Sequence, residues 1–594
     1  MADKEIVKGG HYLIAETSCA DVFTPEDFTD EHRQMGDTVA QFIENEIIPN
    51  TDEIEKQQFE HTYSGMEKCG ELGMLMMEAT EEDGGLDLDL VSAMLTNEKV
   101  SHGGSFAATY TAHTGIGTLP LIYYGNADQK ERYLGKLMSG EWIGAYCLTE
   151  PGSGSDALGA QASAVLSEDG KHYILNGTKQ FITNGGIAGL YTIFAKIDRE
   201  HFTGFLVERD TEGLIVGPEE KKLGIKGSST TQIILDNCKV PVENLLGEKG
   251  KGHKIAFNVL NIGRLKLGAS TLGGSKKALK EGIKYANERK QFNTPISRFG
   301  AIGEKIADLT AHIFASESVV YRAAGIIDDR LARVEKTSAN YYDEYLVGIE
   351  EYAVECAIPK VFCSDVLARV VDEVVQIHGG YGFVQDYPAE RFYRDERINR
   401  IFEGTNEINR LIIPGMILRK AMKGEMPIQA EAMKAFEALM TPGFDEIDDT
   451  VLFGREKALV KNLKTLFLIL AGAGVRKFMD KLANEQEILI ASANLAIQIY
   501  ALESTVLRAE KIHAGLSDRM QEVLTSAVKI FAFDAAEAAA TAAKKGAFFV
   551  EEGDNLAMIL SGVRRFTKYD ASGLLGAKKT LAAAACEGEK YIFN

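Results

Sequence analysis

Apolar residues recur at helical spacing from Phe28 to about Ser139, as in Met35, Val39, Phe42 and Ile43, with glycine-rich breaks such as Asp83–Gly84–Gly85. From about Tyr146 to Gly247 the period changes. Short β-rich runs (His172–Leu175, Tyr191–Ala195, Phe205–Val207, Thr231–Leu235) alternate with the turn clusters Asn176–Gly177 and Asn184–Gly185–Gly186. That texture predicts a small, mostly antiparallel β domain. Helical texture returns from Gly252 to about Lys423, interrupted by the Asp386–Tyr387–Pro388 turn. Lys423–Pro442 reads as a boundary, with Gly424, Pro427 and a break at Thr441–Pro442–Gly443. Beyond it the chain is again helical and alanine-rich, as in Ala535–Lys545.

The pattern predicts an α+β chain, mainly α. It divides into an N-terminal arm (1–27), an N-terminal helical domain (28–145), a middle β domain (146–248), a helical bundle domain (249–423) and a C-terminal helical extension (424–594). The order is not βαβ, which argues against a dinucleotide-binding doubly wound sheet.

Composition narrows the function. The chain has 594 residues, 45% hydrophobic and 25% charged, enough for several cores. A formal net charge of −21 argues against a nucleic-acid partner. The seven cysteines show no C-x-x-C spacing and the histidines no H-E-x-x-H pairing, so neither a disulfide framework nor a zinc site is expected. Met1–Asp30 has no apolar core of signal type, and the uncharged run Ile488–Leu502 is short of the ~20 apolar residues a spanning helix needs. A bacterial cytoplasmic location is expected.

Gly152–Ser153–Gly154–Ser155–Asp156 matches no phosphate-loop pattern and by itself reads as a turn. With its neighbours it says more. Tyr146–Asp156 (YCLTEPGSGSD), Lys179–Gly185 (KQFITNG), Glu288–Phe292 (ERKQF), Gln376–Phe383 (QIHGGYGF) and Arg394–Ile398 (RDERI) running into Ile401–Ile408 (IFEGTNEI) follow in order. This series resembles the acyl-CoA dehydrogenase family. The long helical extension is similar to that of its very-long-chain subgroup.

The resemblance implies the acyl-CoA dehydrogenase fold, bound FAD, and α,β-dehydrogenation of an acyl-CoA to a trans-2-enoyl-CoA in fatty acid β-oxidation. Removing an α hydrogen beside a thioester needs a carboxylate in a dry site, where burial raises its pKa. The β hydrogen leaves as hydride, which no side chain accepts and a flavin does. By matching position Glu403 is the base. Some members carry the base directly before the arginine matching Arg264; here that position is Gly263. The family's oxyanion donors are the backbone N–H of the base residue and a flavin ribityl hydroxyl.

Also by resemblance, Tyr146, Leu148, Thr149 and Ser155 line the flavin, Ser155 lies near the acyl-CoA, and Phe181 and Thr183 contact the isoalloxazine. Many members carry tryptophan where this chain has Phe181. Arg289, Phe292, Gln376 and Gly380 hold the FAD of a neighbouring subunit, while Thr405 and Glu407 complete the home site. Arg264 and Gly404 lie at the substrate. A homodimer and an electron-transfer flavoprotein as electron acceptor are implied. Two other readings stand beside this one: an acyl-CoA oxidase making hydrogen peroxide, and a non-catalytic assembly or binding relative on the same scaffold.

His113–Pro120 matches the floor of the acyl pocket, and the small Gly115 and Gly117 there suggest a deep pocket for a long chain. In the extension, Thr465–Val475 is apolar with basic flanks. It reads either as a bundle-core helix or as a peripheral membrane contact, and the core reading is preferred.

Overall fold

The computed structural model describes residues 7–336, 338, 340–441 and 450–593. Met1–Ile6 of the arm and the expected break at Pro442–Gly443 lie outside the described residues. The N-terminal helical domain comprises α1 (Asp30–Phe42), α2 (Thr51–Glu55), α3 (Phe59–Glu71), α4 (Leu90–Val100), α5 (Ser105–Ala112), α6 (Leu119–Tyr124) and α7 (Ala127–Met138). Side-chain caps set the starts: Thr29 accepts from the His32 N–H, Asp89 from Ser92 and Asn126 from Gln129. Between α5 and α6, His113–Gly117 is a widened, π-helical turn, a feature that often marks functional sites.

The middle domain is one sheet of β1 (Gly144–Cys147), β2 (Ser163–Leu166), β3 (His172–Thr183), β4 (Leu190–Ile197), β5 (His201–Glu208), β6 (Leu214–Val216), β7 (Thr230–Pro241) and β8 (Leu245–Leu246). Their order is β6-β7-β3-β2-β4-β5-β8, with β1 beside β4. The β1–β4 and β2–β4 pairs are parallel and the remaining neighbours antiparallel.

Asn176–Gly177 is not a turn. It lies inside β3, where the register against β7 slips between Leu175 and Gly177. The Asn176 side chain accepts from the Asn237 N–H at 2.9 Å, so the pair makes a bulge rather than a reversal.

The bundle holds α8 (Gly252–Glu288), α9 (Gly300–Leu331), α10 (Tyr341–Glu351), α11 (Ala353–His378), α12 (Pro388–Glu396) and α13 (Asn406–Met422). The extension adds α14 (Ile428–Met440), α15 (Gly454–Phe478), α16 (Gln486–His513), α17 (Asp518–Val550), α18 (Gly553–Phe566) and α19 (Leu574–Gly588). Thus the Lys423–Pro442 boundary carries a helix, because Ile428, Ala432 and Ala435 repeat on one buried face. The apolar Thr465–Val475 segment is core: Leu466 to Leu470 and Ala473 are buried. Two helical stretches, Gly454–Asn484 and Gln486–His513, are long and apolar enough to cross a membrane by length and composition. In the second, 78% of the most apolar window is buried inside the molecule, as a bundle core requires.

The N-terminal arm is a strap between bundle and extension. The Tyr352 hydroxyl donates to the Val7 carbonyl at 2.8 Å, and the Gly10 N–H donates to Glu355 at 2.7 Å. Tyr12 packs edge-on against Tyr500 of α16, with ring centroids 4.9 Å apart, and donates to the Ala496 carbonyl at 3.2 Å.

Candidate active site

Glu403 lies in the link between the turn Arg397–Arg400 and α13. Its φ is +57° and that of Gly404 is +79°. Glycine adopts this region freely, whereas a glutamate is held there against about 1–3 kcal/mol of strain. Thr405 then caps α13, its hydroxyl accepting from the Ile408 N–H at 3.2 Å.

The carboxylate of Glu403 points at α8. Its Oε2 is enclosed and makes no hydrogen bond. Opposite it is Gly263, whose absent side chain leaves the space the carboxylate fills. The next residue, Arg264, is buried; its Nη1 donates to Asn261 at 2.7 Å while its Nε has no partner. Burial raises the Glu403 pKa to about 7, against the opposing pull of Arg264 and of Lys360 on α11. An unpaired, enclosed carboxylate beside unpaired donors is an arrangement open to a substrate.

The sheet borders this site. Tyr146 lies buried in β1, its hydroxyl donating to the Ala256 carbonyl of α8 at 3.4 Å. The Glu403 carboxylate lies close enough to Tyr146 to help raise its pKa, behind the larger effect of burial. Leu148 is buried and Thr149 half-buried; the Gln180 N–H donates to the Thr149 carbonyl at 2.9 Å, binding this loop to β3. The wholly buried Lys179 reinforces the join, donating to the Leu148 carbonyl at 3.3 Å and to Glu150 at 2.6 Å.

A second register slip in β3, between Lys179 and Ile182, lifts Phe181 off the sheet. The ring is 63% exposed and the residue has φ +58°. Thr183 beside it is half-buried and Ser155 exposed. Gly404 and Thr405 follow Glu403, and Glu407 is exposed in the first turn of α13, its pKa lowered chiefly by a backbone N–H.

Arg289, Phe292, Gln376 and Gly380 form a separate group. The Arg289 guanidinium stands over the Tyr381 ring at 5.5 Å, next to Gly380, and Phe292 is 90% exposed with φ +51°. Gln376 and Gly380, at the end of α11, are exposed. Gly263 and Arg289 are separated by about 39 Å along one unbroken helix at ~1.5 Å rise per residue. The two groups therefore cannot grip the same part of one ligand within one chain.

One expectation about the pocket floor changes. Gly117 leaves no hollow: a Cβ there would meet the Gly144 carbonyl at 2.8 Å, so its smallness lets the turn close on β1. Gly115 faces the stem of Lys266, which is ion-paired with Glu78 beneath it. Three residues the sequence reading did not single out also belong to the site: Lys360, Asn409 and Asn261. Lys360 left one trace, a lone cation in the apolar run Ala357–Cys363.

Helical, sheet and bundle layers meeting at an enclosed glutamate carboxylate are the architecture of the acyl-CoA dehydrogenases. Family models match in that order: acyl-CoA dehydrogenase N-terminal domain over 29–141, middle domain over 145–238 and C-terminal domain over 250–418. A further acyl-CoA dehydrogenase C-terminal domain model matches 462–565. The chain belongs to the acyl-CoA dehydrogenase family. It is 47% identical over 589 residues to a probable acyl-CoA dehydrogenase of Bacillus subtilis (strain 168), covering 99% of each chain. With the human mitochondrial very long-chain specific acyl-CoA dehydrogenase it shares 34% identity, over 82% of this chain and 70% of that protein. The crystal structure of an acyl-CoA dehydrogenase complexed with FAD from Bacillus anthracis matches with TM-score 0.96 and 47% identity, over 99% of this chain and 100% of that one.

Proposed function

We propose that the chain binds FAD and oxidises long-chain acyl-CoA to trans-2-enoyl-CoA, with Glu403 removing the α proton. The observation that carries this reading is the enclosed, unpaired Glu403 carboxylate with its pKa near 7. A base so poised is ionised at working pH yet basic enough to take a weakly acidic α hydrogen. Arg264 keeps it partly ionised without neutralising it by a direct ion pair. The Glu403 N–H, which has no hydrogen-bond partner among the described residues, is available to the thioester carbonyl oxygen.

The residues present fit a flavin. Phe181 offers an exposed ring on a strained bulge, with Thr183 and the Leu148–Thr149 loop beside it. When bound, FAD supplies the electron-deficient ring that takes the β hydrogen with its electron pair. Arg289 lies at the far end of α8, with Phe292, Gln376 and Gly380 also away from the Glu403 end, too far to serve the same flavin ring, which supports a homodimer in which they reach the partner's FAD. An electron-transfer flavoprotein is the proposed acceptor. The long-chain preference is supported by the likeness to very long-chain enzymes, not by Gly115 or Gly117.

Anaerobic titration with palmitoyl-CoA tests the reading through the flavin absorbance. Bleaching in the wild type and none in Glu403→Gln is expected; a flavin-free protein, or equal bleaching in both, overturns it. A series of acyl lengths with an optimum at four carbons would remove the long-chain preference, and stoichiometric hydrogen peroxide in air would identify an oxidase instead.

A further inference from the structure

The three carbonyls around the base are gripped from behind. Lys360 on α11, with no exposed surface, donates to the Gly404 carbonyl at 2.8 Å and to the Asn406 side chain at 2.6 Å. Asn409, in the first turn of α13, turns its amide nitrogen to the carbonyls of Glu403 (3.3 Å), Gly404 (2.8 Å) and Thr405 (3.1 Å). The grip is itself anchored. The Asn406 amide donates to Ser364 and Asp365, both at 3.0 Å; Arg410 pairs with Asp365 at 2.6 Å and donates to Asn494 of α16 at 2.7 Å. Thus the extension braces the helix that follows the base.

In a tight reversal, carbonyls collected on one side leave the amide hydrogens facing the other. Here the Glu403 carbonyl is held while its N–H is free, and the residue keeps a φ of +57° that a glutamate alone would leave. We propose that Lys360 and Asn409 are positioning residues, a carbonyl clamp that holds the Glu403–Gly404 reversal so that the N–H and the carboxylate of one residue meet the same thioester. The N–H meets its carbonyl oxygen and the carboxylate its α hydrogen. The inference rests on the proposed function. Burial lowers the Lys360 pKa to about 7, and the clamp works in either protonation state, since a neutral amine still donates. When charged, Lys360 also favours ionised Glu403.

The test uses purified holoenzymes: wild type, Lys360→Met and Asn409→Leu, each checked for FAD content and thermal unfolding. The probe is a 3-thiaacyl-CoA, whose α hydrogen is acidified and which has no β C–H to give up. Its deprotonation is followed against pH through the long-wavelength absorbance of the enolate beside flavin. We expect the midpoint to rise by about one pH unit in Lys360→Met. In both variants kcat for acyl-CoA should fall about ten- to a hundredfold, with KM changed less than threefold. FAD-loaded variants with wild-type midpoint and kcat overturn the clamp. A wild type that never deprotonates the analogue overturns the proposed function and the clamp with it. If Lys360→Met loses FAD, Lys360→Gln takes its place, keeping a donor without the charge. A kcat recovered above that of Asn409→Leu supports the clamp, and a kcat as low as that of Asn409→Leu overturns it.

Discussion

A Cβ on Gly263 would stand 2.8 Å from Oε2 of Glu403. The proposed base on one segment and the missing side chain on α8 are therefore a single feature. A side chain at 263 and a carboxylate from 403 compete for the same space, and this chain gives it to Glu403.

Gly263→Ala should accordingly displace the carboxylate by some tenths of an ångström without exposing it. Such misplacement lowers kcat/KM by about ten- to a hundredfold. FAD content should stay at the wild-type level, because Gly263 faces the carboxylate. Single-turnover reduction under anaerobic conditions measures the effect, and an unchanged rate would show that the glycine is there for helix packing alone.

The pH dependence follows from the same carboxylate. Glu403 accepts a proton only when ionised, so kcat/KM should rise with pH through a limb near 7. Arg264 opposes the upward push of burial. Arg264→Met removes that opposition and should move the limb up by about one unit. A limb near the ordinary glutamate value in the wild type would mean that water reaches the carboxylate.

Phe181 separates folding from cofactor binding. Its ring is 63% exposed and its φ is +58°, so the fold gains little from it and bears its strain. Phe181→Gly should leave the apoprotein at least as stable as the wild type, by up to about 1 kcal/mol. FAD should bind at least about tenfold more weakly, the ring's stacking surface being lost. Thermal unfolding of the apoprotein and FAD titration read the two effects; destabilised apoprotein with unchanged FAD affinity would make the ring a packing residue.

Much of this site was legible because its chemistry sits in contiguous stretches. Ile401–Ile408 carries the proposed base, the glycine break and the cap within a few residues, and Lys179–Gly185 carries Phe181 and Thr183, though not the bulge that exposes the ring. What was not legible is made by packing across long separations. Lys360 meets Gly404 from 44 residues away and Lys266 meets Glu78 from 188, and no local pattern encodes either contact. Asn176–Gly177 misled because a turn pair and a bulge pair ask the same thing of the backbone, and only the partner strand decides between them. The arm misled in the other direction: its apolar run Tyr12–Ala15 is too short to show periodicity, yet Tyr12 and Leu13 are buried.

His113 makes the fold sensitive to acid. One ring nitrogen faces the Leu137 carbonyl at 3.0 Å and the other accepts the Gly144 N–H at 2.9 Å, a pair of roles that only the neutral ring can fill. Burial lowers its pKa to about 4. The unfolded chain, with its ordinary value near 6.5, takes up the proton first. Stability from this group is whole above pH 6.5 and is lost as pH falls towards 4, by roughly 3 kcal/mol. His113→Gln should be less stable at pH 7 but lose less on going to pH 5, as scanning calorimetry at the two values would show. An equal loss in both proteins would assign the acid lability to other groups.

Arg508 of α16 ties four parts of the chain together. Fully buried, it pairs with Glu26 of the arm at 2.7 Å and with Glu317 of α9 at 2.6 Å, and it donates to the Phe593 carbonyl at 3.3 Å. Glu317 is also paired with Lys276, which reaches Glu98 of α4 at 2.8 Å. Removing one member of such a buried set leaves its partner charge short of compensation, and that shortfall outweighs the lost attraction. Arg508→Met should therefore cost about 3–5 kcal/mol, and it should free the arm as well, since Glu26 has no other ion-pair partner among the described residues. Chemical unfolding measures the first effect, and faster proteolysis between Cys19 and Phe28 measures the second. Destabilisation without faster arm cleavage would show that Lys511, paired with Asp27 and donating to the Val22 carbonyl, holds this stretch without Glu26.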